Sequence, residues 1–450
     1  MSAALTDRIA GATVAVVGMA KSGFAASALL REKGAKVRAL DAKLTPELLE
    51  ESRRTGIEVR QQDAREFEGV DLVVVSPGVP ADLDILEAVR ARGIPVIGEL
   101  ELAGYWLQGP VIGITGSNGK TTTTALTGHI LAQSGIPAQV GGNIGRPPTD
   151  MVATSRAGQW NVLELSSFQL ETTDQFHAHV GVALNVTPNH IDRHHTFENY
   201  VAAKARIFRQ QAPGDFAILN ADDPITAGYA RLTTAGAIWF SLTDRPERGF
   251  WLERDIIRSH DGALMPAPEV PLRGRHNIQN VMAAAAAACV TGASLRDIAA
   301  AVRSFPGVPH RLQKIAEIRG VAYYNDSKAT SVDAALKAVD TFDSGLWIIL
   351  GGKDKGAPYS PLIAPLRKKA YAALLIGAAA PKIAAEFRGL VPVVECGTLE
   401  AAVRHAREHA RDGDTVLLAP ACASFDQFRS FEHRGEVFTE LVNRLAEEEK

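Results

Sequence analysis

The stretch Gly113-Ile114-Thr115-Gly116-Ser117-Asn118-Gly119-Lys120-Thr121-Thr122 has the composition of a phosphate cradle. Glycines let backbone N–H groups close on phosphate oxygens, and a helix that starts just after them adds the positive end of its dipole. Lys120 can reach the terminal phosphates, and the Thr121 hydroxyl can ligate Mg²⁺. The spacing departs from G-x-x-x-x-G-K-[ST]. Ile114 stands five residues before Gly119, and the glycine comes one position earlier, at 113. A variant phosphate loop is expected. A Gly/Thr-rich turn with one exposed lysine is the bland alternative. It is disfavoured because residues 111–114 read as a strand and 122–133 as a helix, the context such a loop requires.

Other residues could complete that chemistry. Glu164 ends the apolar run Val162-Leu163 and precedes Leu165. A carboxylate at a strand end beside a phosphate loop is where a second Mg²⁺ ligand would sit. His190 leaves the end of a buried strand expected at 182–186 and is a further candidate. His190 and His194 are four apart, like a metal pair. The zinc-protease signature needs Glu after the first His, however, and here Ile191 stands there. Zinc is rejected on that pattern, and Pro188 argues against a clean helix before Phe197. His194 and His195 are expected to be solvated. Lys204, in a helix at 197–209, reads on pattern alone as a surface lysine. Asn277 and Asn280 share a helix face ahead of the alanine-rich stretch 281–290, and capping by Asn277 is the alternative role. Gly18 to Gly23 nearly matches the dinucleotide fingerprint, with Asp41 where a ribose-binding acid would lie. Ala20 replaces the middle glycine, so another phosphate-bearing nucleotide fits as well as NAD.

These residues must be carried by alternating strands and helices. Strands are expected at 13–17, 37–40, 72–75 and 96–97, with a helix at 24–33. Phe216 to Asn220 reads as a strand, and 236–272 alternates as short strands would. Beyond the Pro/Gly-rich stretch 305–309, strands end at Tyr324, Leu350, Ile376 and Leu418. Polar clusters follow strand ends repeatedly, as the binding face of an α/β sheet requires. At 450 residues the chain should hold about three domains. Boundaries are expected at Gly109-Pro110 and near 306, giving domains at 1–108, 109–306 and 307–450. A net charge of -3 supplies no basic footprint for nucleic acid. Three widely spaced cysteines fit a reducing cytoplasm. The alanine-rich uncharged stretch near 281–294 falls short of the roughly 20 apolar residues a membrane span needs. The tail, 447–450, is expected to fray.

Together these motifs resemble the Mur ligase family over the whole chain. The general signal is GITGSNGKTT, NVTPNHID, GRHNIQN and the PHR of Pro309 to Arg311. LELSSFQLE, NDSKAT and APACASFDQF resemble its D-glutamate-adding branch, and the Asp-Asn-Pro-Arg of the diaminopimelate- or lysine-adding branch is missing. The resemblance implies a three-domain α/β architecture. A Rossmann-like N-terminal domain would bind the UDP-substrate, a central P-loop-like domain ATP, and a C-terminal Rossmann-like domain the amino acid. It implies ATP-driven addition of D-glutamate to UDP-N-acetylmuramoyl-L-alanine through an acyl phosphate, in peptidoglycan precursor synthesis. A cytoplasmic monomer is expected.

The resemblance also implies roles, residue by residue. Gly116, Ser117, Asn118, Gly119, Lys120, Thr121 and Thr122 would hold ATP phosphates. Asn277, Asn280, His310, Arg311, Asp326 and Lys328 would contact the same nucleotide. Thr121 would hold one Mg²⁺, and Glu164, His190 and Lys204 a second, with Lys204 as N6-carboxylysine (a carbamate). Lys120, Glu164, His190 and Lys204 form the catalytic set. Lys21, Ser22, Asp41, Ala42, Lys43, Ser76 and Gly78 would face the uridine diphosphate, and Asn143 the muramoyl side. Thr330, Lys355, Ser424 and Phe431 would surround D-glutamate. The chain departs from the pattern at Ala20, at Ala42-Lys43, and at Gly351-Gly352-Lys353-Asp354-Lys355, where either Lys353 or Lys355 could serve and register favours Lys355. Alternatives are another ATP-dependent amide ligase of the Mur or folylpolyglutamate type, an NAD-dependent oxidoreductase, which leaves the phosphate loop unexplained, and a nucleotide-gated binding protein without chemistry.

Overall fold

The computed structural model describes residue 6 and residues 8–449. The chain packs as two compact units, residues 1–305 and 306–450. The first unit carries two sheets. One is all parallel: β1 (Thr13–Val17), β2 (Lys36–Asp41), β3 (Val59–Gln61), β4 (Leu72–Val75) and β5 (Val96–Gly98), in the order β3-β2-β1-β4-β5. The order reverses between β1 and β4, so the loops after these strands open a crevice. β4 is buried at every position, as its unbroken Leu-Val-Val-Val requires of a strand covered on both faces.

The second sheet comprises β6 (Val111–Thr115), β7 (Ala138–Gly142), β8 (Trp160–Glu164), β9 (Val180–Ala183), β10 (Phe216–Asn220), β11 (Gly236–Ser241), β12 (Gly249–Glu253), β13 (Ile256–Ser259) and β14 (Gly262–Pro266). Its order is β14-β13-β12-β11-β10-β9-β6-β8-β7, parallel except for the antiparallel pairs made by β13. The second unit holds β15 (Gln313–Ile318), β16 (Val321–Asn325), β17 (Leu346–Gly351), β18 (Ala370–Ile376), β19 (Val393–Gly397) and β20 (Thr415–Leu418), in the order β15-β16-β20-β17-β18-β19. Only the β15–β16 pair is antiparallel.

Several expected boundaries move, each for a local reason. The strand expected at 182–186 is Val180–Ala183. Beyond it the chain leaves the sheet to bond the phosphate loop, with the Ser117 N–H donating to the Asn185 carbonyl at 2.8 Å. The first helix starts at Lys21 rather than Phe24, and the phosphate-loop helix at Lys120 rather than Thr122. The helix expected at 197–209 is Phe197–Ala205, tightening into a 3₁₀ turn at Arg206–Phe208. A single turn, Ile191–His194, forms where no helix was expected, because Pro188 lies outside it and His190 and His195 bound it in left-handed conformations (φ 54° and 65°). The helix Phe431–Glu448 includes two of the tail residues expected to fray. Arg407 reaches Glu448 at 2.6 Å and Glu449 at 3.1 Å; Lys450 lies outside the described residues.

The alanine-rich helix Arg275–Val290 packs along the phosphate-loop helix Lys120–Gln133. Ala283 to Ala288 are fully buried, and their small side chains let the two helices approach closely. In the second unit, Arg434 is wholly buried. It donates to the Ser327 and Cys422 carbonyls and the Ser327 hydroxyl, holding the loop after β16 against the loop after β20, and burial lowers it to about 10.

One buried group stands outside any catalytic role. Glu99 accepts from the Thr149 N–H and hydroxyl through Oε1, while its buried Oε2 has no partner. Burial pushes it up to about 7. Between the ordinary carboxylate range and that value, folded Glu99 keeps a proton that the unfolded chain has released. Stability therefore falls as pH rises through this window and stays lower above it. Glu99→Gln is expected to raise the urea midpoint at pH 8, by an amount on the order of 1–3 kcal/mol in stability, and to change it little near pH 4.5. An equal change at both pH values would contradict this.

Candidate active site

The phosphate loop runs from the end of β6 to the helix beginning at Lys120. Gly119 sits at φ 85°, and a Cβ there would lie 2.3 Å from Asn280 Oδ1, so only glycine fits the junction. Gly113 has a different task from the one its spacing suggested. It lies within β6, where a Cβ would meet Ile207 and Leu165 at 2.9 Å. The departure from the standard spacing is therefore packing of the strand, and Gly116 (φ 155°) makes the turn.

The loop is latched from β9's exit. Asn185 Oδ1 accepts from the Asn118 N–H at 2.9 Å, and Asn185 Nδ2 donates to the Asn118 carbonyl at 3.2 Å. The Ser117 hydroxyl donates to the Thr187 carbonyl at 3.0 Å, accepts from the Thr187 N–H, and lies 2.9 Å from the Tyr200 hydroxyl. Asn185, Thr187 and Tyr200 were missed as functional residues. Asn185 and Thr187 had only the signal of lying in the segment that carries His190, and Tyr200 that of sharing a helix with Lys204. Lys120 Nζ donates to the Gly116 and Ser117 carbonyls at 2.8 and 3.0 Å, so the cation lies over the loop.

Lys204 corrects its surface assignment. Its side chain is 1% exposed, and Nζ donates to the Gly116 carbonyl at 2.8 Å, lying 4.7 Å over the Tyr200 ring. Burial lowers its pKa well below the ordinary lysine value, helped by the Lys120 charge and opposed by Glu164. Glu164 is also buried. Its Oε1 accepts from Asn143 Nδ2 at 2.8 Å, and its Oε2 has no hydrogen-bond partner. An orphaned carboxylate oxygen beside a phosphate loop fits a hard cation, as does the Thr121 hydroxyl in the helix's first turn. His190 is exposed, with its ring 4.9 Å from Phe168. Partial burial lowers its pKa, opposed by Asp192 and helped by Lys120 and Lys204, a shift toward the neutral imidazole that a metal ligand requires. Among the described residues no three His, Cys, Asp or Glu side chains gather as a metal cluster.

His194 corrects the expectation of a solvated side chain. It is buried, 3.0 Å from the Ser167 hydroxyl and 3.5 Å from Glu171, and burial lowers it to about 4. His195 is exposed and pairs with Asp82 at 2.7 Å. Asn277 is not the helix cap, because Gly274 is. Asn277 instead accepts from Asn280 Nδ2 at 2.8 Å and donates to the Arg273 carbonyl. That pairing directs Asn280 at the phosphate loop.

A cleft of about 650 Å³ opens at the switch point of the first sheet. Lys21, Ser22, Asp41, Ala42, Ser76, Gly78 and Asn143 all line it; Lys43 does not. Asp41 holds the loop rather than standing free, accepting from the Met19 N–H at 2.7 Å and the Lys43 N–H at 3.0 Å. Lys21 bonds the Gly145 carbonyl, which brings the first helix to the glycine-rich turn after β7. Gln169 also lines the cleft and was not anticipated as a site residue.

In the second unit, His310, Arg311, Asp326 and Lys328 gather at the end of β16. The Lys328 N–H donates to the His310 carbonyl at 3.1 Å, and Leu312 N–H to Asp326 Oδ1 at 3.2 Å. Burial raises Asp326 to about 6. The Lys328 ammonium lies 5.8 Å from the Phe431 ring. The Thr330 N–H bonds the Lys328 carbonyl, and Ser424 is buried in the loop after β20. Lys355 is exposed, two residues beyond Lys353, whose backbone pairs with Ala423 next to Ser424.

Comparison with known proteins bears on all three sheets. Residues 12–98 match a family model described as the Mur ligase MurD-like N-terminal domain, 114–288 the Mur ligase middle domain, and 310–422 the Mur ligase glutamate ligase domain. The chain is 58% identical over 438 residues to a protein of Solibacter usitatus named UDP-N-acetylmuramoylalanine–D-glutamate ligase, covering 97% of this chain and 99% of that one. A protein of the same name from Koribacter versatilis is 47% identical over 451 residues, covering 98% and 99%. Among solved structures, a UDP-N-acetylmuramate-alanine ligase from Thermotoga maritima shares the fold with a TM-score of 0.61 at 17% identity, covering 96% of this chain and 99% of that one. With each of its sheets matched in turn and nearly its whole length aligned to such relatives, the chain belongs to the Mur ligase family.

Proposed function

We propose that the chain is an ATP-dependent ligase that joins D-glutamate to UDP-N-acetylmuramoyl-L-alanine. The observation that carries this reading is the adjacency, within one unit, of the latched phosphate loop, the orphaned Glu164 carboxylate and a cleft lined by seven residues expected to face the nucleotide sugar. The high identity to relatives named for that reaction supports the choice of substrates.

A carboxylate is a poor acceptor for an amine because oxide is a bad leaving group. The substrate carboxylate oxygen attacks the γ-phosphorus of ATP, the bond to the bridging oxygen breaks, and ADP leaves. The D-glutamate amine attacks the acyl carbon of the resulting acyl phosphate, loses a proton, and phosphate departs. The loop N–H groups and the helix start at Lys120 hold the phosphates, and Lys120 neutralises charge on the transferring group. Asn277 and Asn280 brace the loop from the alanine-rich helix. Thr121, Glu164, His190 and Lys204 are the side chains that would hold two Mg²⁺ ions, which would supply charge neutralisation and orientation of the phosphates. Lys204 would serve as a carbamate. Burial lowers its pKa and so favours the unprotonated amine, the form that adds CO₂ with release of one proton, and the product is an oxygen ligand. His310, Arg311, Asp326 and Lys328 would meet the nucleotide, and Thr330, Ser424, Phe431 and Lys355 the D-glutamate. Three unpaired cysteines fit a cytoplasmic enzyme. No helix among the described residues is long and apolar enough to cross a membrane.

The test is phosphate release with UDP-N-acetylmuramoyl-L-alanine, ATP and Mg²⁺ while D-glutamate is varied. Release should saturate with D-glutamate. Release independent of any amino acid would reject the ligase, and dependence on a different amino acid would reject D-glutamate as substrate.

A further inference from the structure

Arg193 has no part in the reading above, yet its guanidinium is buried and fully engaged. Its side chain is 9% exposed and pairs with Glu171. It donates to the carbonyls of Val79 at 2.6 Å, Pro77 at 3.3 Å and Gly78 at 3.4 Å, and lies 4.9 Å over the Phe168 ring. The three carbonyls belong to the loop after β4 that lines the cleft. Phe168 meets the His190 ring, also at 4.9 Å. A single side chain thus touches the wall of one proposed site and the ring that backs a ligand of the other.

The turn between His190 and Arg193 makes that contact consequential. Both ends of the turn, His190 and His195, are left-handed, a conformation that non-glycine residues hold only where surrounding structure imposes it. Arg193 is the turn's charged, forked tie to the cleft loop, and a planar guanidinium can hold three carbonyls and a carboxylate at once where an ammonium cannot. Of the neighbouring ties, His194 reaches Ser167, while His195 meets Asp82 farther along the same loop through an exposed pair.

We propose that Arg193 is a positioning residue that links the cleft loop 77–79 to the His190 turn, so that occupation of the nucleotide-sugar cleft adjusts the placement of His190. The proposal rests on the ligase reading only for the identity of the cleft's ligand.

The test uses the full chain and UDP alone, a probe that fills the cleft without the muramoyl group. The His190 imidazole resonance is identified by its loss in His190→Gln and followed as UDP is added. In the wild-type chain it should shift on saturation. In Arg193→Met the shift should shrink at least roughly threefold although calorimetry still detects UDP binding, with Arg193→Lys intermediate. In turnover assays Arg193→Met should raise KM for the nucleotide sugar about tenfold and leave KM for ATP within about twofold. An undiminished His190 shift in Arg193→Met, or no shift in the wild type with UDP bound, would overturn the proposal. Equal changes in both KM values with an undiminished shift would mark Arg193 as structural only, which also overturns it. Should Arg193→Met fail to fold, Arg193→Lys carries the same criteria. Failure of the wild type to bind UDP would instead reject the cleft assignment and remove the basis of the proposal.

Discussion

Lys120→Ala is expected to lower turnover about 10³-fold while leaving the affinity for UDP-N-acetylmuramoyl-L-alanine nearly unchanged. The separation follows from where the residue sits. Its Nζ lies over the phosphate loop, bonded to the Gly116 and Ser117 carbonyls, and it does not line the cleft. A γ-phosphate entering the loop would offer that ammonium a stronger, charged partner than two neutral carbonyls. The loss corresponds to about 4 kcal/mol of transition-state stabilisation, a scale reported for single charge-stabilising groups in water-excluded sites. Lys120 is also one of the charges that lower Lys204, so the variant should bring the Lys204 amine back toward its ordinary range. Turnover within tenfold of wild type, measured at saturating ATP, would remove Lys120 from the phosphoryl step.

Lys204→Ala should lose about 10²- to 10³-fold in turnover and regain part of it with an added short-chain carboxylate. Truncation leaves a buried space beside Gly116 and Tyr200, large enough for a small acid, and the acid returns the oxygen ligand that a carbamate would supply. A lysine acting as an ammonium would give another pattern, with rescue by small amines. A second readout needs no turnover. The wild-type chain incubated with labelled bicarbonate should show a carbamate carbon resonance, absent from Lys204→Ala. Wild-type turnover in the variant, or rescue by amines alone, would exclude the carbamate.

Much of the site was legible because its chemistry is local. A phosphate loop needs glycines, a lysine and a helix start within about ten residues. A strand-end carboxylate announces itself by its apolar flanks, as Glu164 does. The α/β alternation was equally plain, since buried parallel strands such as β4 are continuous apolar runs. Burial of long polar side chains was not legible. Lys204 and His194 sit on short helical segments with no strong apolar periodicity, and their burial depends on segments far away in sequence: Thr115–Gly116 for Lys204, Ser167 and Glu171 for His194. Lys43 was assigned to the uridine-diphosphate face by the family resemblance; it lies past the end of β2 and is not among the residues that line the cleft.

By itself the sequence determined the fold class, the presence and position of the phosphate loop, and the set of residue types able to handle phosphates, a cation and a nucleotide. Those properties follow from residue types at short spacing, which a chain displays before it folds. Only the tertiary structure decided which groups are dry and which are paired. It showed that Gly113 serves strand packing, that Asp41 holds its own loop, that the oxygen of Glu164 turned away from Asn143 is orphaned, and that Arg193 reaches the wall of the cleft. The physical reason is that desolvation and hydrogen-bond satisfaction are set by neighbours brought in across dozens of residues, and no local pattern encodes them.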